Sequence, residues 1–243
     1  MVISIFLLIS YKKSVLSVLY KSGLPGLIGG IILSFGFASY VFAMYETTVA
    51  NANFIIQTQT LFLALFGYIF LKEKISKLTL ASITIAIFGI LLMLGGSVSP
   101  GQMTGNLVAF IMPISFAILI IIVRKFPEVD MIPLQLVAGI FATIIGFIMS
   151  PTIVVSTNDI FLGFLAGFFQ VGFGFILITI GAKSTPSAFV GIIMLTEAVL
   201  GPFWAWIFVN ENPPFYVLIG GSIVITAVVM QFFNKFITKK ETL

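Results

Sequence analysis

Eight apolar runs, each close to the about 20 residues that a helix needs to cross a bilayer, occupy most of this chain. They fall at 24–44, 49–71, 78–96, 105–123, 132–150, 160–181, 187–209 and 214–233. Residues 1–10 form a ninth apolar stretch, too short to span, with neither the leading basic residue nor the small-residue cleavage site of a signal peptide. Soluble domains carry about 25% charged residues; this chain carries 8%, against 60% hydrophobic residues. So little polar material cannot cover a surface in water. The bilayer is therefore the solvent, and only helices or closed barrels satisfy their backbone there. The run lengths select helices: an all-α, polytopic membrane bundle of eight full spans plus an N-terminal partial one.

The cations orient it. Lys12, Lys13 and Lys21 precede the first full span, and Lys72, Lys74 and Lys77 separate the second from the third. Arg124 and Lys125 follow the fourth, Lys183 follows the sixth, and Lys235, Lys239 and Lys240 make the tail. If the chain changes side at every span, all 12 Lys and Arg fall on one side, and loops 45–48, 97–104, 151–159 and 210–213 contain none. A miscounted helix would scatter them. The positive-inside rule makes that side the cytoplasm, which predicts a multi-pass protein of the cell (inner) membrane with a cytoplasmic C-terminus. The basic pI of 9.3 then reflects orientation rather than nucleic-acid binding.

The chain also resembles itself at an offset of 138 residues. Ser34-Phe35-Gly36-Phe37 is echoed by Gly172-Phe173-Gly174-Phe175, and Gly29 falls on Gly167. Without a gap, Thr47 falls on Thr185, Ile55 on Ile193, Thr58 on Thr196, Phe70 on Phe208 and Glu73 on Glu211. Span 49–71 runs outside to inside and its partner 187–209 the other way, so the units, 1–104 and 105–243, are inverted repeats. The second holds five spans. Met1 pairs with Gly139, inside span 132–150, so the first unit is expected to lack roughly one and a half helices, an upstream in-frame stretch of about 30 residues. A genuinely shorter carrier is the alternative.

These residues resemble a known family. Ala50-Asn51-Ala52-Asn53 through Ile69-Phe70-Leu71-Lys72-Glu73-Lys74 is similar to the fourth helix of EamA-type permeases in the drug/metabolite transporter superfamily. Ala182-Lys183-Ser184-Thr185-Pro186-Ser187-Ala188 through Thr196-Glu197 to Ile207-Phe208-Val209-Asn210-Glu211 resembles their ninth. The resemblance implies ten helices in two inverted five-helix halves, with both termini cytoplasmic. The family often places a proline just after the mid-helix polar position, where this chain has Thr60 and Ala198. That removes the usual cause of a kink there, leaving Pro202 nearby in the later span.

Glu197 is the leading site candidate. It lies near the middle of a span, where a charge costs at least about 2.5–3.5 kcal/mol on insertion scales. It either binds a proton or substrate in a central cavity or serves as a packing group hydrogen-bonded to a neighbouring helix. Gly201 and Trp204, four and seven residues on, share its helical face. Gln59 is the offset partner of Glu197, and with Gln57 and Gln170 it lines the cavity or bonds between helices. Gln57 and Gln59 cannot point the same way, and Gln57 fits the bonding role better. Tyr40, Tyr45, Phe169, Phe175 and Trp206 either wall a cavity or join the interfacial aromatic belt. Asn51 and Asn53 sit one turn below the outer surface, as vestibule lining or caps. Glu73 and Glu211 end their helices, where a carboxylate is expected to favour the start of the following helix. Gly26, Gly30, Ser34 and Ala38, and likewise Gly163 and Gly167, repeat every four residues, which predicts close helix packing.

An intramembrane duplication with a polar residue from each half predicts a secondary active transporter working by alternating access, an exporter or exchanger of small metabolites. Its expected partners are a small-molecule substrate, the lipid bilayer and protons as coupling ion, with a homodimer as the oligomer to test and no nucleic acid. Neither cofactor nor metal is expected: the chain has no His and no Cys, and it lacks Gly-x-x-x-x-Gly-Lys-Ser/Thr. For the same reasons, and for want of a mid-membrane acidic pair, an intramembrane enzyme fits badly. The alternative is a channel or a non-transporting scaffold.

Overall fold

The computed structural model describes residues 2–11, 15–47, 49–94, 103–150, 154–210, 212 and 214–240, with the backbone alone at some helical positions, Asn51 and Gly201 among them. Glu211 lies outside the described residues. The described residues form helices and their connections, with no strand. Helix α1 is Val2–Tyr11 and α2 is Val15–Glu46. The second span consists of α3 (Val49–Gln57) and α4 (Gln59–Leu71), and α5 (Lys77–Leu94) is the third. Helices α6 (Met103–Ala109) and α7 (Ile111–Lys125) share the fourth, and α8 (Ile132–Met149) is the fifth. The sixth runs from α9 (Thr157–Leu165) through a π-helical stretch, Ala166–Phe173, into α10 (Gly174–Ala182). The seventh is α11 (Ser187–Met194) with α12 (Thr196–Val209), and α13 (Phe215–Lys240) closes the chain. Every run expected to span is thus helical. Leu16–Glu46, Met103–Lys125, Ile132–Met149 and Thr157–Ala182 are each long and apolar enough to cross a membrane.

Helix α2 breaks where the first full span was expected to begin. Gly23 has φ 60° and ψ −162°, a conformation open to glycine and strained for other residues. Pro25 follows, placed where a helix start leaves an N–H unbonded in any case.

Two apolar cores hold the bundle together. Leu33, Leu63, Phe116, Leu119, Ile120, Met131 and Leu134 unite α2, α4, α7 and α8. Ile83, Ala86, Ile90, Ile192, Leu195, Val224 and Ala227 unite α5, α11 and α13. Helices α4 and α11 belong to both, Leu63 and Val190 facing one core while Ala64 and Ile192 face the other. In hydrocarbon no water drives helices together, so close approach of small residues carries the packing. A Cβ on Gly89 would stand 2.8 Å from the Gly220 carbonyl oxygen, and one on Gly220 would stand 2.4 Å from that of Gly89. Backbones of α5 and α13 therefore touch.

The small-residue lines divide. On α2, a Cβ at Gly30 would lie 2.6 Å from Val137 Cβ and 2.7 Å from the Leu134 carbonyl oxygen, so α8 packs on this glycine. Ser34 is fully buried, with its hydroxyl bonded to the Ile31 carbonyl at 2.6 Å, and Ala38 is half-buried. Gly26 is crowded by its own helix's Ser22. Gly163 and Gly167 correct the expectation: a Cβ on either would meet nothing within 4 Å. The reason is visible in their counterparts. Gly29 and Gly36 of the first half lie against Ile122 and Leu134, and against Met112 and Ser115, from α7 and α8. No described helix crosses Gly167 or Gly174 in the same way. Spacing alone states only that a helix could approach.

Candidate functional site

The spans α3–α4 and α11–α12 are both interrupted near their midpoints, and a threonine back-bond marks each interruption. Thr58 Oγ1 donates to the Ile55 carbonyl at 2.5 Å, and Thr196 Oγ1 donates to the Ile193 carbonyl at 2.7 Å. Donors and acceptors are both partners at the 138-residue offset. The backbone tightens beside them, with Thr58 N–H reaching Ile55 O at 3.0 Å and, one residue earlier in the repeat, Leu195 N–H reaching Ile192 O at 3.2 Å. A hydroxyl that competes for a helix carbonyl bends the helix, so both spans break without the family's proline. Absence of proline at Thr60 and Ala198 was therefore a misleading sign.

Each interruption starts a new helix with a polar residue. Gln59 opens α4, and Glu197 stands in the first turn of α12. Free N–H groups and the positive end of the helix dipole favour a carboxylate at such a position. Glu197 is exposed, and Tyr40 of α2, half-buried, lies within reach of its charge. On the same α12 face Trp204 is exposed, its ring 5.3 Å from Phe203 and 5.6 Å from Phe208. The surroundings of Gly201 and the Asn51 side chain lie outside the described residues, while Asn53 is exposed.

The glutamines disperse. Gln59 is 3% exposed with Nε2 unbonded, which encloses it in the protein interior. Gln57 is half-buried, and its enclosed Oε1 also lacks a partner. Gln170 is exposed on the π-helical stretch. A separate cavity of about 340 Å³ opens between α1, α8 and the sixth span, bordered by Gln135, Thr143, Gly163, Gly167 and Phe168. There Gln135 Nε2 donates to the Phe175 carbonyl at 2.6 Å and to Thr179 Oγ1. The two open glycines line this cavity rather than a helix contact.

Glu73 corrects a further expectation. Its Oε2 accepts the Ser187 N–H at 2.8 Å, capping α11 of the other half rather than the helix that follows it. Its Oε1 lies 2.5 Å from Arg124 Nη2, and Arg124 Nη1 donates to the Ala182 carbonyl at 3.3 Å and to that of Thr185. A left-handed residue, Lys72 at φ 55°, ends α4 and turns Glu73 toward these partners. In the sequence Arg124 figures only as an orienting cation and Ser187 only within a family-like run, although Arg124 is the chain's one arginine and so distinct from 11 lysines. Deeper in the same seam, Thr60 Oγ1 donates to the Gly191 carbonyl at 3.0 Å. Among the described residues no group of His, Cys, Asp or Glu is placed to hold a metal ion.

Residues 1–95 and 103–233 match the EamA-like transporter family. A curated relative, an uncharacterized transporter of Methanothermobacter thermautotrophicus, is 25% identical over 207 residues, 78% of this chain and 58% of its own length. The chain thus spans less than two thirds of that relative. A crystal structure of another protein superimposes with a TM-score of 0.80 over 94% of this chain and 82% of its own, at 19% identity, a likeness of fold.

Proposed function

Because the chain belongs to the EamA-like transporter family, we propose that it is a secondary active transporter that moves small metabolites by alternating access between its two halves. The observation that carries this reading is the pair of mid-span breaks, one in each half, each marked by a threonine back-bond, Thr58 to Ile55 and Thr196 to Ile193. Each break supplies a half-helix start at mid-span, with Gln59 opening one helix and Glu197 in the first turn of the other. Glu197 provides a carboxylate, Tyr40 a hydroxyl and Trp204 a flat wall with one N–H donor. Together they suit a small polar or amphiphilic molecule that brings a hydrogen-bond donor or a positive charge. Glu197 couples movement to protons by changing charge between states. The protein sits in the inner membrane with its C-terminus in the cytoplasm, and works as an exporter or exchanger.

A metabolite profile of cells with and without the intact gene tests the cargo. Accumulation of one small amphiphile inside the deleted cells, restored to normal by the wild-type gene but not by Glu197→Gln, is the expected result. Identical profiles under conditions where the gene is expressed would contradict it.

A further inference from the structure

We propose that Glu73, Arg124 and the start of α11 form a latch that closes the cation-bearing face of the molecule while the opposite face stands open. The proposal rests on the alternating-access reading above. Glu73 belongs to the first half; Arg124, Ala182, Thr185 and Ser187 belong to the second. Their bonds tie the ends of α4 and α7 to the turn before α11 and to its first N–H. The tie continues inward as a seal. A Cβ at Gly67 would stand 2.9 Å from Ser187 Cβ, and one at Gly191 would stand 2.9 Å from Thr60 Cα. Leu63, between those levels, is fully buried. From Glu73 to mid-span, α4 and α11 leave no passage.

Beyond the breaks the pattern reverses. Helix α12 packs chiefly on α13, α3 and α12 do not run together among the described residues as α4 and α11 do, and Trp204 is exposed. Glu197 and Asn53 are exposed as well. Closed on one side and parted on the other, with the change at Thr58 and Leu195, the two spans have the geometry of one end state of a rocking carrier.

The latch suits switching because it is all or none. Both side chains are largely buried, at 17% and 16% exposure, so removing one partner strands a charge where water is scarce. Arginine's planar fork meets a carboxylate and two carbonyls at once, which lysine's single ammonium does not. Opening the cation-bearing face requires all these bonds to part together.

The chain has no cysteine, so single cysteines report directly on each face. Leu63→Cys probes the seal and Asn53→Cys the open side, each labelled with a membrane-impermeant maleimide in inside-out and right-side-out vesicles. With the latch intact, position 63 is protected and position 53 reacts. Glu73→Gln or Arg124→Gln raises labelling at position 63 from the cation-bearing face, and lowers it at position 53, each by about tenfold, the size of change that tipping a two-state equilibrium produces. The neutral double variant E73Q/R124Q, which strands no charge, shows the same opposite changes at positions 63 and 53. Position 63 still protected in both single variants overturns the latch and leaves the carrier reading standing. Labelling that rises at both positions in these variants assigns the opening to a loosened fold, which also overturns it. Both positions reactive in the otherwise unsubstituted chain indicate a pore open to both faces, and sink the carrier reading with the latch.

Discussion

At the residue scale, the proposed chemistry falls mostly on Glu197. Glu197→Gln keeps the shape and removes the charge. It is expected to lower flux by at least about tenfold, equivalent to about 1.4 kcal/mol, and to abolish the pH dependence of what remains. Flux assays across pH in proteoliposomes check both parts. Normal flux with an unchanged profile would end the coupling role. Two glycines form a control pair for packing. Gly30→Ala forces a methyl into Val137 and the Leu134 carbonyl and should cost about 1–3 kcal/mol, whereas Gly167→Ala enters open space and should stay within about 0.5 kcal/mol. Thermal unfolding in detergent distinguishes them. Glu197 was legible because a carboxyl deep in an apolar run is costly to place there without a purpose. Glu73 was only half legible. Its position at a helix end could be read from the chain, but which helix it caps depends on tertiary contact with Ser187, 114 residues away. Gln59 was chosen by its offset from Glu197, and its burial follows from the packing of α4 against α7 and α11, which no local pattern encodes.

At the element scale, span positions were legible and their interruptions were not. Hydropathy sets where a helix must lie when the solvent is lipid, so each expected run is helical. Breaks at Thr58 and Leu195 depend on hydroxyl back-bonds, and threonine inside an apolar helix bonds backward or outward with little to distinguish the two by sequence. The repeat offset held the missing signal, since Ile55–Thr58 and Ile193–Thr196 coincide at 138 residues. Thr58→Val and Thr196→Val remove one hydroxyl bond each while keeping the side chain's shape, a loss of about 1 kcal/mol. If the breaks are hinges, either variant should lower flux about fivefold and the double variant more than either, with unfolding temperatures nearly unchanged. Equal flux in all three, at equal amounts of protein in the membrane, would show that the breaks are not used in transport.

At the scale of the whole molecule, residues 1–95 and 103–233 both match the family, yet glycines 138 residues apart differ in their surroundings. Gly29 and Gly36 are covered by α7 and α8 while Gly167 and Gly174 are bare, and α4 packs on α11 along a seam that α12 does not extend. Fold class and the positions of the helices could be read from composition and periodicity. The asymmetry could not, because it concerns which of two near-equivalent contacts is made. It matters to function: a carrier must hold one face shut while the other is open. Trans-stimulation is the most direct measurement of that property. In proteoliposomes loaded with the metabolite that profiling identifies, uptake of the labelled compound should saturate and should rise when unlabelled compound is present on the far side. Flux that grows in proportion to concentration, indifferent to what the far side contains, would contradict alternating access.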